Sequence, residues 1–486
     1  MPVRPTAPRE KPRTKATRPE RMARKLLERI ESGSPRSGVL PSQRALAAEF
    51  GVSRSTVSQA LQILEAGGFV ATPERRRARV AEADTPLAKK LAAFLSESGF
   101  SAPPAHQAHV RLDAPNDLQA GAIDLATLCD EHWDGQINAA IEEEAAERAL
   151  RKYRAGLTSI YGPTGIERLR EYVVRYLERA GVRAKPSEIA VIPRRLYAIR
   201  LVLEVLTGKG CELWAPALSN TRFYGVGDRF PAKLCSLPVS AEGEIDFSPL
   251  WFSKKPRIAL LEPDRARPTG ASIPASERAR LVREAARRNV FLFDDSYCRL
   301  LYEEKAPPLP AYDPGKESVI YLGAVPTWLS PLASFCFIHA HERIVKLLRA
   351  SIRRDYMNPE FLPQLCAVEL EEAGDIGRML ERFHAYHRER LLRVDRSLAA
   401  AFGDEARWRL PGSFGCVWLE LPGTDIGRLY QARRDVDFQP GWLYGEPERD
   451  CRHVMLRYTL PEDRFEEGLR RFRALWESVR GGRPRG

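Results

Sequence analysis

Residues 319–339 read VIYLGAVPTWLSPLASFCFIH. Val319 to Gly323 is an apolar run of strand length, followed by a short polar turn containing Thr327 and then a second apolar run. Short continuous apolar runs bounded by turns fit strands buried on both faces. From Ile123 onward the chain alternates such runs with helical stripes, the pattern of an open, mainly parallel α/β sheet. The run NVFLFDDSYCRLLY (289–302) is another, an apolar strand ending in two aspartates, and Ile258 to Leu261 precede the turn Pro268-Thr269-Gly270. YGPTGIERLREYVVRYLERAGV (161–182) is a glycine- and proline-bearing loop followed by a helix with Leu169, Val173, Tyr176 and Leu177 on one stripe. Later strands are expected at Phe414–Leu421 and Val454–Thr459.

A chain of 486 residues is too long for one ordinary domain. Its 44% apolar and 29% charged residues describe a folded globular protein. The net charge of +12 is uneven, because residues 1–82 hold 17 Lys/Arg against 8 Asp/Glu. Such asymmetry points to a polyanion partner for the N-terminal region. Eight scattered cysteines form no CxxC or Cys/His cluster, so neither zinc nor a disulfide framework is expected and a reducing cytoplasm fits. No run of about 18 apolar residues is present, so no membrane span is expected, and the N-terminus lacks the apolar core of a signal peptide.

Residues 1–18 read as a disordered basic arm. From Pro19 a helix is expected, with Met22, Leu26, Leu27 and Ile30 on one face. The stretch 38–80 reads GVLPSQRALAAEFGVSRSTVSQALQILEAGGFVATPERRRARV. Ser42 caps a helix whose apolar face is Leu46, Ala47 and Phe50, and Gly51 ends it. Ser53 caps a second helix to about Ala66, with Val57, Leu61 and Leu64 inward. This is a helix-turn-helix, and Phe69 to Val80, broken by Pro73, supplies a two-stranded wing. The stretch resembles the GntR family of winged-helix regulators. The resemblance implies that Arg44, Ser53, Arg54, Ser55 and Thr56 lie at double-stranded DNA and that Ser42 and Ser58 touch phosphates. Arg54 opens the second helix, where side chains reach base edges in the major groove. The wing tip departs from the family's glycine and carries Arg75, Arg76 and Arg77, a cationic tip suited to backbone or minor-groove contact.

Residues 83–122 read as a linker, with a short helix at Leu87–Leu95, and 123–486 as an aminotransferase-like domain with a large part at about 150–345 and a small part at about 346–486. Several landmarks of this region resemble fold-type-I pyridoxal-phosphate (PLP) enzymes and the MocR-type regulators built from them: the 161–182 segment, Pro268-Thr269-Gly270, the DDxY of 294–297, VDFQPGWLYG (436–445) and the 319–339 turn. The fold implied is an α/β PLP-transferase-like domain behind a winged helix, with a homodimer whose pockets lie near the subunit interface. Against that pattern the site is degenerate. Thr327 stands at the position of the Schiff-base lysine, and a hydroxyl cannot form an imine. Ser334 stands for a phosphate-binding arginine, and Leu218 or Ser219 stands where a ring-stacking aromatic belongs, with Phe223 or Tyr224 open as substitutes. Pro193-Arg194-Arg195 replace the small residues of the phosphate cup, and Arg194 and Arg195 read as surface arginines at a helix start, with binding of some other anion as the alternative. Arg267 stands for an asparagine, while Asp294 and Tyr297 match the residues that face the pyridine ring. A buried Asp294 needs either an arginine partner or a turn to cap. The substrate-carboxylate arginine aligns on Val454, or on Arg457 if a short deletion is allowed.

The expectation is a non-enzymatic transcription regulator that binds no PLP covalently and no metal, with room for a small-molecule effector. Alternatives are a PLP enzyme using an unconventional lysine, and a DNA-bridging dimer scaffold with no ligand.

Overall fold

A computed structural model describes residues 40–66, 70–71, 79–80, 122–126, 137–154, 164–208, 210–220, 230–240, 242–446 and 451–481, together with Met22, Ala23, Lys25, Leu26 and Arg29. The chain divides into two compact units, Met1–His106 and Gln107–Gly486. The expected basic arm, Leu27 and Ile30, the wing tip Arg75–Arg77, the 87–95 helix and Phe223 and Tyr224 lie outside the described residues.

In the first unit, the Ser42 hydroxyl accepts from the Ala45 amide at 3.2 Å and opens α1 (Gln43–Phe50). Gly51 closes it at φ 62°, a left-handed conformation that costs glycine little. Ser53 accepts from the Thr56 amide at 3.2 Å and opens α2 (Arg54–Ala66). Leu46, Val57, Leu61 and Leu64 pack with Met22, Leu26, Leu40 and Val70, a small core that fixes the two helices against each other. Strands β1 (Val70–Ala71) and β2 (Arg79–Val80) pair antiparallel as the base of the wing.

The second unit opens with β3 (Ile123–Asp124), then α3 (Ala139–Tyr153) and α4 (Glu167–Arg179). Its large sheet is built from β4 (Ile189–Ile192), β5 (Glu212–Pro216), β6 (Lys233–Leu237), β7 (Arg257–Leu261), β8 (Val290–Asp295), β9 (Val319–Val325) and β10 (Phe335–His339). Their order is β4-β10-β9-β8-β7-β5-β6, with β9 through β6 mutually parallel and β10 antiparallel to both its neighbours. Helices α5 (Arg195–Leu206) and α6 (Ala275–Arg287) make crossovers of the kind that parallel strands require. All seven residues of β9 are buried, as its unbroken apolar run predicts. Gly323 is paired with Phe337, and a Cβ there would stand 2.3 Å from the Phe337 ring.

Next come α7 (Glu342–Asp355), α8 (Phe361–Glu372) and the 28-residue α9 (Asp375–Phe402). A four-stranded sheet follows, β11 (Arg407–Trp408), β12 (Cys416–Glu420), β14 (Gln439–Pro440) and β15 (His453–Arg457), while α10 (Ile426–Ala432) and β13 (Val436–Asp437) lie between β12 and β14 and α11 (Glu462–Gly481) ends the fold. The expected division at 346 needs correction. Helices α7 and α8 pack on the large part, and β3, which lies before both expected parts, pairs with β13 in the small one. The two apolar cores meet along α9, whose Met379 and Phe383 enter one and Val394, Leu398 and Phe402 the other.

Candidate functional site

In the first unit, Arg44 and Arg54 are exposed on the first turns of α1 and α2. The hydroxyls of Ser53 and Thr56 lie 2.8 Å apart at the start of α2, and Ser42 and Ser58 are half-buried nearby in sequence. The two capped helix starts carry guanidinium groups to solvent, as a groove-reading helix needs. For Ser55 only the backbone is described.

In the second unit, the turn after β9 is held rigidly from α3. Glu142 accepts from the Ser330 hydroxyl and from the Leu332 amide at 3.1 Å, and Asn138 donates to the Leu329 carbonyl at 3.2 Å. Burial raises the Glu142 pKa above the usual carboxylate range, the two hydrogen bonds offsetting part of that rise. No local sequence signal marks this clamp, since nearly 190 residues separate Glu142 from the turn.

The residues expected in one pocket are divided between two cavities. Thr327, Ser334 and Arg194 line a groove of about 50 Å³ with Gln364 and Pro359. Arg195, Arg267 and Tyr297 line a second cavity of about 20 Å³ with Glu262, Asp295 and Ser413. Leu218 lines neither; the adjoining Ser219 amide donates to the Tyr444 carbonyl at 3.0 Å, tying this segment to the small part.

Two expectations need correction here. Arg195 is not a surface arginine. Its Nε donates to both Asp295 oxygens at 2.9 and 3.1 Å, Nη2 is paired with Glu262, and the guanidinium lies 5.5 Å from the Tyr297 ring centre. Asp294 does not line the small cavity; Asp295 does. Successive residues of a strand face opposite sides of the sheet, so the DDxY spacing selects one aspartate while the pleat sends its neighbour to the cavity. Asp294 is fully buried on the other face, accepting from the Ser296 hydroxyl at 2.6 Å and the Leu309 amide at 3.0 Å. It therefore caps the chain that follows, and burial pushes its pKa up to about 6.

Around the small cavity the loop after β7 is densely tied. Asp264 pairs with both Arg278 and Arg299, and the Arg267 amide donates to Glu262 at 2.9 Å. Gly270, at φ 74°, presses on Gly412 so closely that a Cβ would stand 2.7 Å from the Gly412 Cα. Above the cavity, Trp328 packs 4.8 Å from Phe414 and edge-on to Tyr297 at 6.2 Å. Burial pushes the Cys298 thiol up to about 12, so this cavity holds no ready thiolate. Arg457, the alternative carboxylate-binding arginine, instead donates to the Asp124 carbonyl at 2.8 Å and joins β15 to β3. Val454 is buried in the small part's core. Lys305 donates to the carbonyls of Arg299 and Tyr302, at 3.2 and 2.7 Å, and burial brings its pKa down to about 8. Among the described residues no group of three or more His, Cys, Asp or Glu could hold a metal, and no helix is long and apolar enough to cross a membrane.

The model of the family described as "Bacterial regulatory proteins, gntR family" matches residues 19–80. The chain is 31% identical over 353 residues to the 2-aminoadipate transaminase of Thermus thermophilus, an alignment covering 69% of this chain and 86% of that enzyme. It is 25% identical over 477 residues to the uncharacterized HTH-type transcriptional regulator YdfD of Bacillus subtilis, covering 95% of this chain and 97% of the relative. The solved structure of the α-aminoadipate aminotransferase LysN from Thermus thermophilus superposes with a TM-score of 0.63 at 23% identity, covering 74% of this chain and 93% of that one, and so shares the fold. Residues 19–80 form a GntR-type winged-helix domain, the second unit is a fold-type-I aminotransferase-like domain, and the chain is a DNA-binding transcription regulator of the GntR/MocR type.

Proposed function

We propose that this regulator reads its operator through Arg44 and the start of α2, and that its aminotransferase-like body acts without PLP as a dimerising, effector-responsive domain rather than as an enzyme. The observation that carries the reading is the side chain at the anchor position, Thr327, on a turn fastened by Glu142 and Asn138. A hydroxyl there provides no amine for the imine on which PLP chemistry depends.

The other residues present do not fit the cofactor. Asp294 already gives one oxygen to Ser296 and the other to Leu309, leaving no carboxylate aimed at a pyridinium. Arg195 enters where small residues would let backbone amides approach a phosphate, and it is engaged by Asp295 and Glu262. The cavity beside it, about 20 Å³, has no room for a pyridoxal ring and its phosphate. An apolar fringe of Leu196, Leu332, Tyr356, Met357 and Leu362 is exposed near or beside the Thr327 groove in sequence, which suits burial against a second copy of the chain. A pair of DNA-binding heads would then favour two half-sites.

One lysine favours the enzymatic alternative: Lys305, whose lowered pKa makes its amine a better nucleophile. Its amine is bonded to two carbonyls and lines neither cavity, which counts against that role. Incubation of the purified chain with PLP, followed by borohydride and peptide mapping, tests the choice. No long-wavelength aldimine band and no pyridoxyl-modified lysine are expected; a stoichiometric adduct on Lys305 would overturn the reading.

A further inference from the structure

We infer that the small cavity between the loop after β7 and the Ser413 segment is a receptor for a carboxylate, held by Arg267 with Ser413 beside it. This rests on the reading above in one respect, that PLP does not claim the space.

The cavity has donors without matching acceptors. The Arg267 Nε and the Ser413 hydroxyl oxygen are both enclosed and lack a nitrogen or oxygen partner. Ser413 is only 2% exposed, so water at the surface cannot satisfy it, and the Cys416 thiol beside it is a weak partner. The Arg267 guanidinium gives one bond, from Nη2 to the Phe414 carbonyl at 2.9 Å, and forms no ion pair among the described residues. Its neighbours differ. Arg195 is matched by Asp295 and Glu262, and Arg299 by Asp264. Arg265, the remaining arginine of the lining, lies over the Tyr302 ring at 4.8 Å and is held at φ 46°, left-handed backbone that a side-chain-bearing residue adopts only when its surroundings impose it.

Within the lining, Arg195, Arg265, Arg267 and Arg299 face Glu262, Asp264 and Asp295, an excess of one positive charge. One monoanion balances it. A half-buried guanidinium with an enclosed Nε and no ion-pair partner is costly, and its planar fork fits a carboxylate well. A space of about 20 Å³ admits the carboxylate group alone, so the body of any larger acid stays at the mouth. The ligand class is therefore a small monocarboxylate, or a larger acid presenting one carboxylate end. Because Ser413 belongs to the small part and Arg267 to the large part, an anion here bridges the two, next to the Gly270–Gly412 contact.

Thermal unfolding of the full chain in sodium formate, sodium chloride and formamide, at matched ionic strength, tests this. Formate is expected to raise Tm saturably by roughly 2 to 4 °C, chloride less and formamide not at all. Arg267→Gln should abolish the formate shift. If Arg267→Gln fails to fold, Ser413→Ala serves, because it removes a hydroxyl with no strong partner, leaves the fold in place and weakens the formate response. Equal responses to formate, chloride and formamide, or an unchanged formate shift in both variants, would show that the cavity holds only water. The borohydride result is independent: no PLP capture with no formate response fails the carboxylate site alone, and PLP capture with a formate response fails the PLP-free reading alone.

Discussion

Asp294 and Asp295 show what one residue's placement does to a site. The motif spacing selects Asp294, yet the alternation of the strand gives Asp295 to the cavity and Asp294 to the opposite face. Spacing along a chain is legible in a sequence; the face a strand presents at its last residue depends on where the strand stops. The burial of Arg195 is illegible for a related reason, since its acids, Glu262 and Asp295, come from distant strands. Asp294 carries a testable pH dependence. Its folded pKa, about 6, lies above the ordinary 3.8, so its contribution to stability is fully present below about pH 3.8 and is lost as pH rises through 6. A rise of this size corresponds to about 3 kcal/mol. Asp294→Asn can still accept from the Leu309 amide, and its amide can donate to Ser296. The variant should be more stable than the parent near neutral pH by up to about 3 kcal/mol, with the difference vanishing near pH 4. Urea midpoints at pH 4 and 7 measure this, and a difference that does not change with pH would sink the assignment.

At the scale of elements, local rules were legible and long-range ones were not. Ser42, Gly51 and Ser53 mark their helix ends through contacts within a few residues, and each acts as its sequence predicts. The clamp from α3 onto the turn after β9 obeys no local rule, and neither does the run of α9 from one core into the other. This clamp fastens the turn after β9 to the start of α3. Glu142→Ala would leave the Leu332 amide and the Ser330 hydroxyl without their acceptor. At about 1 to 3 kcal/mol for each unsatisfied buried group, a loss of about 2 to 6 kcal/mol is expected. Glu142→Gln keeps an acceptor oxygen and sheds the desolvated charge, so it should lose far less. Chemical denaturation of both variants distinguishes a clamp from mere volume: similar losses for Ala and Gln would mean that the hydrogen bonds contribute little.

For the whole molecule, the N-terminal charge and the two capped helices were enough to read a DNA-binding head, because they depend on composition and local spacing. What the body does was less legible, because it depends on which side chains meet across a sheet. The two units make separable predictions. Arg54 stands at the exposed start of α2, so Arg54→Ala should cost about 1 to 3 kcal/mol of operator discrimination. The Arg54 side chain is exposed and outside the first unit's core, so the mass and thermal stability of the protein should be unchanged. A basic wing tip seated on DNA would act differently, because cations placed on phosphates release counterions without reading sequence. Changing Arg75, Arg76 and Arg77 together to Ala should weaken specific and non-specific DNA binding alike. It should also lower the slope of log K against log salt by about 0.9 for each phosphate that is no longer neutralised. Titrations with operator and scrambled duplex across a salt series separate the two effects. An Arg54→Ala protein that still prefers operator by the parental ratio would remove α2 from the reading surface, and a triple variant with the parental salt slope would remove the wing.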